Sequence, residues 1–214
     1  GAIRRGVAGA IDDFTREPTE TVNYASAHDN LVLWDKIAKT QPAASDATRR
    51  MMQKLALGIV LTSQGVPFIH GGCEFARTKQ GNHNSYNAGD DINDFGWARK
   101  AEYRDVFDFT AGLITLRRAH PAFRMADDAA VRRALAFLGT GRTVAFTLDG
   151  TVSGDAWPRI LVAYNDEPAP LTLDLPPGDW SIVVDASRAG TETITTARGR
   201  ATLPPYSMLV AHAK

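Results

Sequence analysis

A change of hydrophobic period near Pro121 constrains this chain more than any other feature. From Thr143 onward, short segments alternate apolar and polar residues: 144–148, 160–164, 171–175, 180–184, 193–196, 201–203 and 208–211. Turn-forming clusters separate them, including Asp149-Gly150, Asn165-Asp166 and Pro176-Pro177-Gly178-Asp179. A period of two bounded by such turns predicts strands. Strands in series with no helix between them predict an antiparallel β-sandwich of six to seven strands. One short helix, over 127–137, is expected ahead of it.

Before Pro121 the texture is different. Ile3, Val7 and Ile11 recur at four-residue spacing, a weak helical stripe that Pro18 breaks. Residues 22–25 carry a β-branched and an aromatic side chain and predict a short strand. Leu31, Leu33, Trp34 and Ile37 fit a helix ended by Pro42, and Ser45 is placed to cap a longer one that Gly65 closes at C′. Met51 and Met52 on that helix are read as core filling. Residues 66–70 predict a second buried-type strand, with Pro67 near its start. A polar stretch of about thirty residues follows, longer than a mere connector needs to be. A helix over 102–118 precedes Pro121. The order strand, helix, strand, helix implies parallel strands with helices outside. Such strands expect cover on both faces. Leaving Val22, Tyr24, Val66, Phe68 and Ile69 wet forfeits roughly 1.5–3 kcal/mol each, against a net stability of only about 5–15 kcal/mol.

Composition excludes several classes. The 214 residues carry 24 basic and 24 acidic side chains, so no charge excess points to nucleic acid or an anionic membrane. Cys73 is the single cysteine, so no internal disulfide can form. The apolar run at 55–61 is far too short for a membrane span, and no signal peptide is evident. The composition fits soluble, globular material; it leaves the compartment open. His70, His83, His120 and His212 have no metal-ligand spacing. No cofactor is called for: the run from Asp90 to Asp94 is rich in hard oxygen atoms, but lacks the spacing of a calcium loop, so structural calcium is not indicated.

The candidate site is the row His28, Asp29, Asn30, an imidazole, a carboxylate and an amide leaving the first predicted strand. Polar groups at strand ends are where barrels of alternating strands and helices place their chemistry. The competing reading makes Asp29 or Asn30 the N-cap of the next helix. Arg77 and Tyr86 are read as an Arg–carboxylate strut and a packed aromatic, and Trp157 and Trp180 as core or sugar-stacking residues, at least one of them core.

Three blocks carry a family resemblance. Val22-Asn23-Tyr24 through His28-Asp29-Asn30, with Leu33-Trp34-Asp35-Lys36, resembles the fourth conserved region of alpha-amylase-type glycoside hydrolases in its type I pullulanase version. Gln64-Gly65-Val66-Pro67-Phe68 through Gly71-Gly72 to Glu74-Phe75-Ala76-Arg77-Thr78-Lys79 is similar to the eighth-strand region of those enzymes. Gly81-Asn82-His83-Asn84-Ser85-Tyr86-Asn87, with Asp90 and Asn93, matches the debranching loop that follows. The likeness is strongest between about Val22 and Trp97.

The resemblance implies an α/β plus all-β chain, the C-terminal portion of a (β/α)8 TIM barrel over 1–121 followed by a β-sandwich domain over 122–214. It implies retaining hydrolysis of α-1,6-glucosidic branches in pullulan, starch or glycogen dextrins. Asp29 would be the transition-state stabiliser, with His28, Asn30 and Asp90 binding substrate. The family's nucleophilic Asp and general-acid Glu lie upstream of the fourth region, and no such segments precede Thr21. The chain is therefore expected to be a C-terminal piece, inert alone, whose partners are the N-terminal part of the enzyme and an α-glucan. Two departures stand out. Asp94 occupies a place four residues after Asp90 where the family commonly sets a basic residue, and Gly96 one where an acidic residue usually precedes the tryptophan. Alternative readings are a fragment of an isoamylase or branching enzyme, or a non-catalytic carbohydrate-binding or scaffold piece.

Overall fold

A computed structural model describes residues 1–139 and 143–214. These residues form helices, a two-stranded parallel pair and a six-stranded antiparallel sheet. The helical half opens with α1 (Ala2–Val7), then strand β1 (Val22–Asn23), α2 (Leu33–Thr40), α3 (Asp46–Thr62) and strand β2 (Val66–Pro67). Short helices α4 (Asp90–Asn93) and α5 (Arg99–Glu102) interrupt the long polar stretch, and α6 (Arg104–Ala119) follows. After α7 (Asp128–Ala134) come β3 (Leu135–Leu138), β4 (Val144–Asp149), β5 (Arg159–Asn165), β6 (Leu171–Val184), β7 (Thr195–Leu203) and β8 (Ser207–Ala213).

β1 and β2 are parallel neighbours joined through α2 and α3, as the strand–helix order implies, pairing Val22 with Val66 and Asn23 with Pro67. They are shorter than the expected 22–25 and 66–70, because the chain leaves the pair directly after the Phe68 N–H to Asn23 carbonyl bond. Ser45 caps α3 by accepting from the Thr48 amide. The helix ends earlier than read, with Ser63 as its extended C-cap. Gly65, at φ +96°, instead makes the tight approach to Thr21 and Pro18 that leads into β2. Arg117 of α6 fixes that corner, donating to the carbonyls of Leu61, Ser63 and Gly65. Burial first and the nearby Arg124 second lower its pKa to about 10. Three carbonyl acceptors compensate the buried guanidinium for lost water.

The sheet has the order β3-β4-β5-β8-β6-β7, all antiparallel. Strand β5 shows how it is covered. Ile160, Val162 and Tyr164 join a core with Leu55, Leu61, Phe109, Leu113 and Leu116 of the helices. Leu161 and Ala163, on the other face, join Trp180, Leu203, Leu209 and Ala211 in a second core. Successive side chains of a strand point to opposite faces, so both faces of this strand are dry. Residues Leu171, Leu173 and Leu175 of the β6–β7 ribbon contribute to the second core, closing that face. The first core draws residues from both sides of Pro121, so the helical half and the sheet share it.

Two details of the back half differ from the sequence reading. The expected helix over 127–137 gives way to a strand after Ala134, since Leu135 to Leu138 pair with Leu148 to Ala145. The Pro176-Pro177-Gly178-Asp179 cluster is no turn. The ribbon runs through it with a register shift between Asp174 and Asp179, and Gly178 adopts φ +131°. The Trp180 indole donates to the Pro176 carbonyl and the Arg159 guanidinium to that of Pro177, so the irregular backbone keeps its partners. Bulges of this kind tolerate proline where regular pairing does not.

In the helical half, Val22 (52% exposed), Tyr24 (58%), Val66 (44%) and Phe68 (43%) meet solvent. These are four of the five side chains that sequence reasoning expected to need cover from elsewhere. Among the described residues no helix is long and apolar enough to cross a membrane.

Candidate active site

The chain leaving β1 carries Tyr24 and then His28, Asp29 and Asn30 to the surface. Helix α2 is capped by Val32 without a side-chain bond, so neither Asp29 nor Asn30 serves as its N-cap. Their side chains are therefore free for other work. Asn30 has φ +64°, in the left-handed region. Asparagine tolerates that conformation better than most residues, and it turns the chain sharply between the Asp29 carboxylate and Leu31.

A cleft of about 680 Å³ opens here, lined by Tyr24, His28, Asp29, Asn30, Lys36 and His83, among others. His28 Nε2 lies 3.4 Å from Asp29 Oδ2, and the two side chains are 88% and 79% exposed. Asp29 points into open space, available to accept hydrogen bonds, with an imidazole beside it that can donate. It is the one carboxylate lining the cleft among the described residues. Tyr24 meets Phe68 edge-on, with ring centroids 6.3 Å apart, which gives one wall an aromatic face.

His70 follows β2. Its Nδ1 is buried with no partner among the described residues. Burial first, then the charges of Arg77, Lys79 and His28, hold its pKa below the ordinary histidine value. The neutral ring is the form this environment favours.

The long loop after β2 is tied down at several points. Asp35 of α2, itself buried, accepts from the Thr78 hydroxyl, from the Lys79 amide at 2.8 Å and from the Gly81 amide at 3.0 Å. Lys79 Nζ donates to Ser85 Oγ at 2.6 Å. Burial chiefly, with Arg77 adding to it, pushes the Lys79 pKa down. The Arg77 strut exists, but its bonds go to the carbonyls of Asn93, Gly71 and Asp94 instead of a carboxylate, and its guanidinium lies over Phe95. Tyr86, read as packed, is 84% exposed. Among the described residues no cluster of His, Cys, Asp and Glu has the makings of a metal site.

The four sequence-derived site residues therefore divide. His28, Asp29 and Asn30 share one cleft. Asp90 lies apart as the exposed first residue of α4, on the loop that Arg77 and Asn93 brace. Sequence reasoning missed Asp35, whose spacing after the triplet looks like that of any helical carboxylate, and the contribution of Lys36 and His83 to the cleft. In the sheet, Trp180 is fully buried, while Trp157 stacks between the rings of His120 and His212 at 3.5 and 4.1 Å. Both tryptophans therefore face protein.

The family model "Pullulanase, all-beta domain" matches residues 131–188. The pullulanase of Bacillus subtilis (strain 168) is 38% identical over 181 residues, which is 82% of this chain and 25% of that protein. The solved pullulanase from Bacillus acidopullulyticus superposes with a TM-score of 0.95 at 46% identity, covering 98% of this chain and 26% of that one. The pullulanase from Anoxybacillus sp. LM18-11, solved in complex with maltotriose, gives a TM-score of 0.91 at 34% identity and covers 100% of this chain and 30% of its own. The chain thus spans between a quarter and a third of the length of these relatives. By sequence over most of its length and by fold, the chain is similar to one stretch of the pullulanases.

Proposed function

We propose that this chain furnishes one wall of the active site of a debranching glycoside hydrolase, cleaving α-1,6-glucosidic linkages in pullulan, starch or glycogen dextrins. The observation that carries the reading is the open Asp29 carboxylate, beside His28, in a cleft at the end of a parallel strand. The likeness to pullulanases, one of them solved with maltotriose, supports the substrate class. In this reading β1 and β2 are late strands of a (β/α)8 barrel over 1–121, followed by a β-sandwich over 122–214. The remainder of the barrel covers Val22, Tyr24, Val66 and Phe68.

Retaining glycosidases use one carboxylate as nucleophile and a second carboxyl as acid, about 5–5.5 Å apart. Among the described residues the cleft offers Asp29 alone, so in this reading the bond-breaking pair comes from the rest of the enzyme and the isolated chain is inert. Asp29 acts as a third acid. Positive charge builds on the sugar ring as the leaving oxygen departs, and a carboxylate aimed at the ring's hydroxyls stabilises that charge by Coulomb attraction and by bonds that strengthen as it grows. His28 donates to a hydroxyl of the same glucosyl unit, Asn30 holds the neighbouring one, and Asp90 binds a glucosyl unit further inward.

Turnover of pullulan by the whole enzyme tests this. Replacing Asp29 with Ala is expected to lower kcat by about 10²–10³-fold, the scale for losing one transition-state contact. Near-normal turnover in that variant would remove Asp29 from the mechanism. An exposed carboxylate contributes little to stability, so unfolding should stay within about 0.5 kcal/mol of the parent.

A further inference from the structure

A second groove, of about 570 Å³, lies beside the Asp29 cleft, between α2, the first turn of α3 and the loop at 78–81. Leu31 and Lys39 line both, so the two depressions are continuous. Its floor includes Trp34, which is held edge-on against Tyr103 with centroids 5.0 Å apart and lies under the Arg99 guanidinium. Its far rim is Arg49 and Gln80.

The walls are already in position. The three bonds to the Asp35 carboxylate pin the loop, where Gln80 and Gly81 stand in left-handed conformations at φ +54° and +78°. Gln80 is further tied by its side-chain amide to the Asp91 carbonyl. Meanwhile the cations facing the groove are underused. Among the described residues Lys39 makes no hydrogen bond or ion pair, and Arg49 donates from Nη2 to the Pro42 carbonyl at 3.2 Å, leaving Nη1 uncommitted.

We propose that this groove is an outer subsite for the same α-glucan, in which Lys39 and Arg49 donate to sugar hydroxyls over the Leu31 and Trp34 floor. The proposal rests on the debranching reading above. An apolar floor rimmed by a few placed donors is the composition of a small-molecule site, and it suits a pyranose, whose faces are rich in C–H groups and whose edge carries hydroxyls. The buried Asp35 carboxylate in the same wall sets a negative charge against the two cations, so the groove is not a uniform trap for anions. Continuity through Lys39 supplies the occupant: a chain seated at Asp29 and extended past α2 enters here.

Calorimetry on the intact enzyme, with maltotriose and with maltohexaose, tests the assignment. In the Arg49→Gln and Lys39→Gln variants the affinity for maltohexaose is expected to fall by about three- to ten-fold relative to that for maltotriose, the scale of one hydrogen bond at a solvent-exposed rim. An unchanged ratio, or no measurable binding of maltohexaose by the parent enzyme, overturns the subsite. Lys39 is exposed in the last turn of α2, so its variant keeps the test alive if Arg49→Gln fails to fold. The debranching reading fails separately: an enzyme that binds maltohexaose through Arg49 but releases nothing from pullulan keeps the groove and loses the reaction.

Discussion

The hydroxyls of Thr62 and Tyr164 meet at 2.6 Å, wholly buried, where the end of α3 lies on strand β5. Thr62 Oγ1 also donates to the Gly58 carbonyl at 2.7 Å. A threonine hydroxyl has one proton. That proton is committed to Gly58, so the phenol donates and Thr62 accepts. Burial pushes the Tyr164 pKa upward, and the bond to Thr62 only partly opposes it, which keeps the donor proton in place.

Direction of donation makes the two partners unequal. Tyr164→Phe removes a donor and leaves Thr62 bonded to Gly58, so a loss of about 0.5–1.5 kcal/mol is expected. Thr62→Val leaves a buried phenol proton without an acceptor, for about 1–3 kcal/mol. Denaturant unfolding followed on the sheet should rank Thr62→Val as the more damaging. The reverse order would mean that the phenol accepts.

Two glycines let the helices reach the sheet half. A Cβ on Gly112 of α6 would stand 2.0 Å from the Ala189 carbonyl oxygen and 2.5 Å from its carbon, a collision with backbone. A Cβ on Gly58 of α3 would stand 2.1 Å from Met208 Sδ, the tip of a flexible side chain. Alanine favours a helix interior over glycine by about 1 kcal/mol at either place. At Gly112 that gain is overrun, because the loop must move, and Gly112→Ala should cost about 1–3 kcal/mol. Gly58→Ala should cost less, since a methionine can swing aside. Comparison of their thermal midpoints decides it; equal shifts would mean that Met208 is as fixed as the backbone.

Asp35 should control the order of the loop beyond β2. Asp35→Ala removes the acceptor for the Lys79 and Gly81 amides and for the Thr78 hydroxyl together. Each bond to a charged group contributes about 1.5–3 kcal/mol, though losses within one network do not add. Hydrogen exchange should accelerate at the Lys79 and Gly81 amides while those of α3 stay protected. Unchanged exchange at both amides would show that Arg77 and Lys79 hold the loop without it.

Much of this arrangement was legible in the sequence where the signal was local. Alternation in 160–164 sorts Ile160, Val162 and Tyr164 from Leu161 and Ala163, and those sets face different cores. The ordering of His28, Asp29 and Asn30 after a strand was enough to bring three polar groups to one cleft. What was not legible depends on distant partners. Pro176-Pro177-Gly178 suits a turn and a bulge equally, and only the pairing of Asp174 with Arg200 and Asp179 with Arg198 on β7 decides between them. Asp35 acquires its role from residues 43 to 46 positions later. Gly65 does have a positive φ, but Ser63 ends the helix before it.

The His120–Trp157–His212 stack makes stability depend on pH in a stated direction. Burial first, and His120 second, push the His212 pKa below its ordinary 6.5. The groups facing this stack are His120 across the indole and Asp155, which accepts from His120 Nδ1 at 2.7 Å and from the amides of Ala122 and Trp157. As pH falls, the unfolded chain takes up the His212 proton near 6.5 while the folded protein still refuses it. Stability from this residue is therefore complete above 6.5 and is lost as pH falls from there toward the lower, folded value. His70 is shifted the same way, for its own burial and for the charges of Arg77, Lys79 and His28. Replacing His212 with Gln should flatten the fall of the unfolding midpoint below 6.5, and adding His70→Asn should flatten it further. A midpoint that falls as steeply in the double variant as in the parent would assign the acid sensitivity to carboxylates instead.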